Sequence, residues 1–190
     1  ENVKSIIADV KNNGDSAIIR YSKLYDGVDL AIANVTWSRE RVEKYVSTLE
    51  ILDELKNAVE VARKNIEFFT INSMPREWSA TAPSGQIVGA RFQPIDSVAC
   101  YVPGGSFPLA STVLHTCLIA KTAGVKRITM VTPPSVNGLD PMIAYCAFIS
   151  GVDRIVFAGG AQGIAAVAYG TKTIKKADFV CGPGNRYVSL

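Results

Sequence analysis

Histidine is nearly missing from this chain: its 190 residues carry a single one, His115. A centre built on several imidazoles cannot come from these residues, and no carboxylate stands at metal-ligand spacing from His115. His115 lies inside the apolar stretch "STVLHTCLIAK", where a lone histidine reads as a packed or capped helix residue. Paired cysteines are also missing. Cys100, Cys117, Cys146 and Cys181 are widely spaced, form no C-x-x-C, and each sits in an apolar run as a small core residue. That usage argues against zinc or disulfide in these residues and for a reducing, cytoplasmic setting. No run approaches the ~18–20 apolar residues of a membrane span, and with Glu1-Asn2-Val3-Lys4 leading straight into an amphipathic pattern no signal peptide is expected. Charge of one sign is scarce as well. The net charge of +3 comes from interspersed residues without an aromatic-laced basic stripe, so nucleic acid is not expected as a partner. Lys172, Lys175 and Lys176 read as a solvated face.

What is present is a globular composition, 48% hydrophobic and 19% charged, with length for one or two domains. The first hundred residues are helix-rich. Val3, Ile6, Ile7 and Val10 share a helical face that Gly14 stops, and Asp15 is placed to cap a second helix ending near Gly27. Alternation at Val28, Leu30 and Ile32 predicts a short strand. Ser38 precedes a charged helix to about Thr48, and Leu55, Val59, Ala62, Ile66 and Phe69 mark a longer one over about 52–69. The segment Gly85–Ile95 alternates like a strand or hairpin arm.

From Asp96 the pattern changes to apolar runs alternating with helices: "SVACYVP", a helix over about 110–123, "RITMVT", a helix opened by Asp140-Pro141, "RIVFAG", "IAAVAYG" and "ADFVCG". Four strand–helix units in succession predict an α/β fold, a Rossmann-like parallel sheet with flanking helices. A helix-rich α/β segment of a second domain precedes it. Each strand runs into a loop of small residues: "PGGS", "TPPS", "AGGAQ" and "CGPGN". Ligands of open α/β sheets bind at that carboxyl edge, so a phosphate-bearing or nucleotide ligand is expected. Asp153 and Asp178 start strands at the opposite edge and are poor catalytic candidates. Neither a complete G-x-G-x-x-G nor a Walker A is present, and periodicity alone stops at a small-molecule site.

The blocks "YVPGGSFPLASTVL" (101–114), "AKTAGVKRITMVTPP" (120–134), "GVDRIVFAGGAQGIAAVAYGT" (151–171) and "GPGNRYV" (182–188) resemble histidinol dehydrogenase in order and spacing. Residues 1–98 fit more loosely, at "NNGDSAIIRYSKLYDGVDL" and at Ala62, Asn65, Ile66 and Phe69. The resemblance implies oxidation of L-histidinol to L-histidine through L-histidinal, with NAD as cofactor, zinc, and an intertwined homodimer. It matches Tyr101, Gln162 and Asn185 to cofactor contacts, and Gly104, Gly105, Gly159, Gly160, Gly182 and Gly184 to positions of close backbone approach. Ser111 is a further substrate candidate, although a hydroxyl there equally reads as a helix cap. Under this resemblance, residues 1–98 form the incomplete helix-rich part of a first α/β domain. Residues 99–190 form a Rossmann-like NAD-binding domain, truncated at its C-terminal end.

The resemblance puts the zinc ligands and a Glu-His acid–base pair after the GPGN motif, so no catalytic or metal residue is expected in this chain, and the segment alone is expected to be inactive. Gly163 departs from the family's usual Ala and is expected only to loosen a helix turn. The competing reading is a short, non-catalytic paralogue that binds a nucleotide or a partner protein.

Overall fold

The structure is a computed structural model that describes residues 2–104, 109–184 and 188. The strands among them are β1 (Thr36–Ser38), β2 (Trp78–Thr81), β3 (Ile87–Ala90), β4 (Ser97–Tyr101), β5 (Arg127–Thr132), β6 (Arg154–Phe157) and β7 (Phe179–Cys181). Five form one sheet in the order β1-β6-β5-β4-β7. Its four strands from the second half are parallel neighbours, and β1 runs antiparallel along β6. Successive crossovers place β5 and β6 on one side of β4, and the next places β7 on the other. The α/β fold with a largely parallel sheet is therefore as expected, and its direction switches between β4 and β7.

Parallel strands buried on both faces need apolar residues at nearly every position, which is why "SVACY" and "ITMVT" are runs instead of alternations. Their side chains still divide by the period of two. Val98, Cys100, Met130, Ile155 and Phe157 enter one core; Ala99, Tyr101, Val131 and Val156 enter the other.

The first core is covered by α3 (Arg39–Val46), α4 (Asp53–Ser73), the helix over 110–122 and α7 (Pro141–Ile149). The second is covered by α1 (Val3–Asn13), α2 (Asp15–Tyr21) and α8 (Gly160–Tyr169). Both cores thus draw on residues before and after position 98.

Helix boundaries follow their caps. Asn2 accepts from the Lys4 N–H, Ser38 from that of Arg41, and Asp140 from those of Met142 and Ile143 with Pro141 at the first position. Asp15 differs from its expected capping role. It is the first residue of α2, and its buried carboxylate reaches instead to Thr171 and Thr173, tying α2 to the loop after α8.

The strand expected over 28–32 does not form. Ile32–Asn34 is a 3-10 turn, Leu30 packs on the first core, and Ile32 is exposed, so the alternation is met by packing without a ladder. The strand of this region is β1, four residues further on.

The expected helix over 110–123 is interrupted. It runs as α5 (Ala110–Val113), a π turn (Leu114–Leu118) and α6 (Ile119–Thr122). Within it the Thr116 hydroxyl donates to the Thr112 carbonyl at 2.7 Å, a local bond that competes with the helical ladder. His115 is exposed on this turn, its Nδ1 2.8 Å from the Ser111 carbonyl, so it is capped as expected but not packed.

The hairpin of β2 and β3 stands apart as a two-stranded sheet. Its Trp78 and Ile87, with Phe68 and Phe69 of α4, are exposed. Only the face of α4 carrying Val59, Ala62 and Ile66 meets the core.

Candidate functional site at the carboxyl edge of the sheet

β4 ends at Tyr101, beside the point where the sheet changes direction. The ring is buried in the second core, and its hydroxyl oxygen accepts the Gly160 N–H at 3.1 Å. That N–H is one of the unpaired donors at the start of α8, so Tyr101 joins the end of β4 to the helix that follows β6. Burial pushes the Tyr101 phenol up, and the nearby Asp26 carboxylate pushes in the same direction.

Gln162, in the first turn of α8, is buried, and its Oε1 lies 3.2 Å from where a Cβ on Gly160 would sit. Gly182 packs against the Tyr101 backbone from β7. Tyr101, Gly160, Gln162 and Gly182 therefore converge.

Gly104 and Gly159 join the group through Pro133. A Cβ on either would lie 3.1 or 3.2 Å from the proline ring, so both glycines make room for the loop after β5. Gly184 is close to Val188, whose Cγ1 would stand 2.5 Å from a Cβ there. Ser111 is exposed on α5 and does not line the cavity described next. Gly105 and Asn185 lie outside the described residues. Asp153 and Asp178 sit at the opposite edge and tie strands together, the first accepting the Ile128 N–H and the second the Ser97 hydroxyl.

A cavity of about 720 Å³ opens at this edge, with Gly104, Pro133, Asp140, Tyr45 and Phe157 in its wall. Of the described residues expected to touch a cofactor, Gly104 lines this cavity and Tyr101, Gly160 and Gln162 do not; sequence reasoning also passed over a charged residue of the wall, Asp26. It is the last residue of a π turn, Ser22–Asp26, that extends α2 and ends at Gly27 in the left-handed conformation. Its Oδ2 is buried without a hydrogen-bond partner among the described residues. Burial pushes its carboxyl up to about 6. A signal was available: an acid just before a helix-stopping glycine opposes the helix dipole, where a cation is favoured.

Gly163 does more than loosen a helix turn. A Cβ there would come 2.5 Å from the Ala158 carbonyl oxygen and 3.2 Å from Val131 Cγ1, so the missing side chain lets α8 seat on the sheet. Helix propensity alone favours Gly163→Ala by about 1 kcal/mol, yet overpacking should reverse the sign and lower stability by about 1–2 kcal/mol. Urea unfolding midpoints of the two proteins measure this.

Among the described residues no group of three or more His, Cys, Asp or Glu side chains could hold a metal ion. Cys100, Cys117 and Cys146 are buried, and Cys181 is half-buried with its Sγ 3.8 Å from that of Cys100. No described helix is long and apolar enough to cross a membrane.

The sequence profile described as histidinol dehydrogenase matches residues 1–190. Histidinol dehydrogenase of Listeria innocua is 42% identical over 187 residues, which cover 98% of this chain and 43% of that protein. The Synechococcus histidinol dehydrogenase is 39% identical over 189 residues, 99% of this chain and 43% of the relative. The crystal structure of histidinol dehydrogenase from Elizabethkingia anophelis is similar at a TM-score of 0.89 and 37% identity, covering 98% of this chain and 42% of that one. This chain thus spans about 43% of the length of these curated relatives.

Proposed function

The chain belongs to the histidinol dehydrogenase family, and on that premise we propose that the full-length protein oxidises L-histidinol to L-histidine through L-histidinal, reducing two NAD. Residues 1–190 supply the greater part of the cofactor site. The observation that carries this reading is the convergence of Tyr101, Gly160 and Gln162 at the carboxyl edge, next to the switch between β4 and β7.

The fit to a dinucleotide rests on this edge. The cavity is large enough for part of such a ligand, Gly104 brings backbone into its wall, and Asp26 offers an unused acceptor. NAD supplies the hydride acceptor when bound. Tyr101 orders the edge by holding the start of α8, and Gln162 brings an amide with both donors and an acceptor. These residues contribute position: they fix the site against which the alcohol carbon must be aligned.

The described residues offer no zinc donor set. The resemblance places the zinc ligands and the Glu-His pair in the portion of the family's length that this chain does not span, and it implies a cytoplasmic homodimer for the full-length protein.

The test uses the full-length enzyme. Gln162→Ala and Asn185→Ala should each raise the KM for NAD about tenfold, as expected for a lost hydrogen bond of roughly 1.4 kcal/mol, and leave the KM for histidinol nearly unchanged. Steady-state kinetics with each substrate varied in turn decide it. Unaltered NAD kinetics in both variants would remove these residues from the site.

A further inference from the structure

We propose that Asp26 selects the cofactor: its carboxylate accepts the hydroxyls of the adenosine ribose and excludes a dinucleotide that carries a 2′-phosphate. This rests on the NAD reading above and extends it to a residue outside the glycine-rich loops.

Dinucleotide sites of parallel sheets commonly take a ribose-binding acid from the end of the strand after the first crossover. In this sheet that strand is β5, and it ends in Thr132-Pro133-Pro134-Ser135, with no acid. Asp26 occupies the same neighbourhood by another route. The π turn after α2 carries it over the sheet edge, and its Oδ1 lies 3.2 Å from where a Cβ on Gly159 would sit, a point also 3.2 Å from Pro133. The carboxylate therefore stands across the ends of β5 and β6, in the wall of the cavity that Gly104 also lines.

Two further observations give the ligand's chemistry. The Asp26 Oδ2 is buried and unpartnered among the described residues, an arrangement that is unfavourable until a donor arrives. A vicinal diol brings two donors suited to one carboxylate. Among its described lining residues the cavity holds no Lys, Arg or His, and its other ionisable acid, Asp140, is engaged in capping α7. A phosphate placed there would meet negative charge without a compensating cation. The wall thus favours hydroxyls and rejects phosphate.

The test is equilibrium binding of NAD and of NADP, by calorimetry, to the full-length protein and to its Asp26→Asn and Asp26→Ala variants. The wild type should prefer NAD by at least about 100-fold. Removing the carboxylate should weaken NAD about tenfold or more and shrink the preference to below about tenfold, because the repulsion of the 2′-phosphate goes with it. The preference ratio separates this role from a structural one, since a general loosening of the fold would weaken both nucleotides alike. Asp26→Asn keeps the side chain's shape, so a folded variant is available even if the alanine variant unfolds. If the wild type binds neither nucleotide, the cofactor reading fails and this proposal with it. If it binds NAD and the variants keep both affinity and preference, Asp26 is not the selector and the cofactor reading stands.

Discussion

Replacing Gly182 with alanine should cost about 3 kcal/mol, the largest loss expected from one added methyl group in this fold. Two causes add. Its φ of +135° lies where L side chains are rarely found, and a Cβ there would stand 2.3 Å from the Tyr101 carbonyl oxygen. That neighbour is backbone of a central strand and cannot rotate away. β7 must move off β4 instead, opening the sheet where its direction switches. Gly27→Ala is the control: its φ of +69° is also left-handed, but nothing lies within 4 Å of the added carbon. The control should lose only about 1 kcal/mol, as for a left-handed residue without a clash. Denaturant unfolding of both variants separates close approach from backbone conformation, and equal losses would contradict the packing argument.

Asp15→Ala should destabilise the protein by about 2–4 kcal/mol. The buried carboxylate accepts from the Thr171 hydroxyl, from the Thr173 N–H at 3.1 Å and from the Thr173 hydroxyl at 2.9 Å. Alanine leaves these donors facing each other in a half-buried space with their acceptor gone. Asp15→Asn keeps one acceptor oxygen and should lose roughly half as much. The damage should be local to the α2 junction with the loop after α8, so hydrogen exchange should rise first at Thr173 and Ile174. An alanine variant as stable as the wild type would show that water replaces the carboxylate without penalty.

The parts of this fold legible in sequence are those decided by neighbours along the chain. The runs "SVACY", "RITMVT" and "RIVF" announce strands buried on both faces, and all three form. Asp140-Pro141 opens α7 as its capping chemistry requires, and Gly14 and Gly27 end their helices in conformations other residues resist. The glycine-rich loops mark the carboxyl edge, because strands of this kind must turn there into helices.

Errors arose where a local pattern had two outlets. Val28, Leu30 and Ile32 alternate like a strand, but Leu30 finds the core without pairing. Conversely, three residues are too few for β1 to show a period, and it forms because β6 offers an open edge.

Local chemistry therefore determined the class of fold, the carboxyl edge at which its small-residue loops gather and, through four motif blocks in order, the family. The tertiary structure alone decided which residues share that edge. Gly163 favours close seating of α8 only because Ala158 and Val131 stand where a Cβ would go. Asp15 is a tie instead of a cap because Thr171 and Thr173, far along the chain, reach its carboxylate first. Asp26 meets the cavity because α1 and α2 pack on α8, from the same side as Tyr101. Each of these facts depends on contacts between residues distant in sequence, whose distances no periodicity encodes.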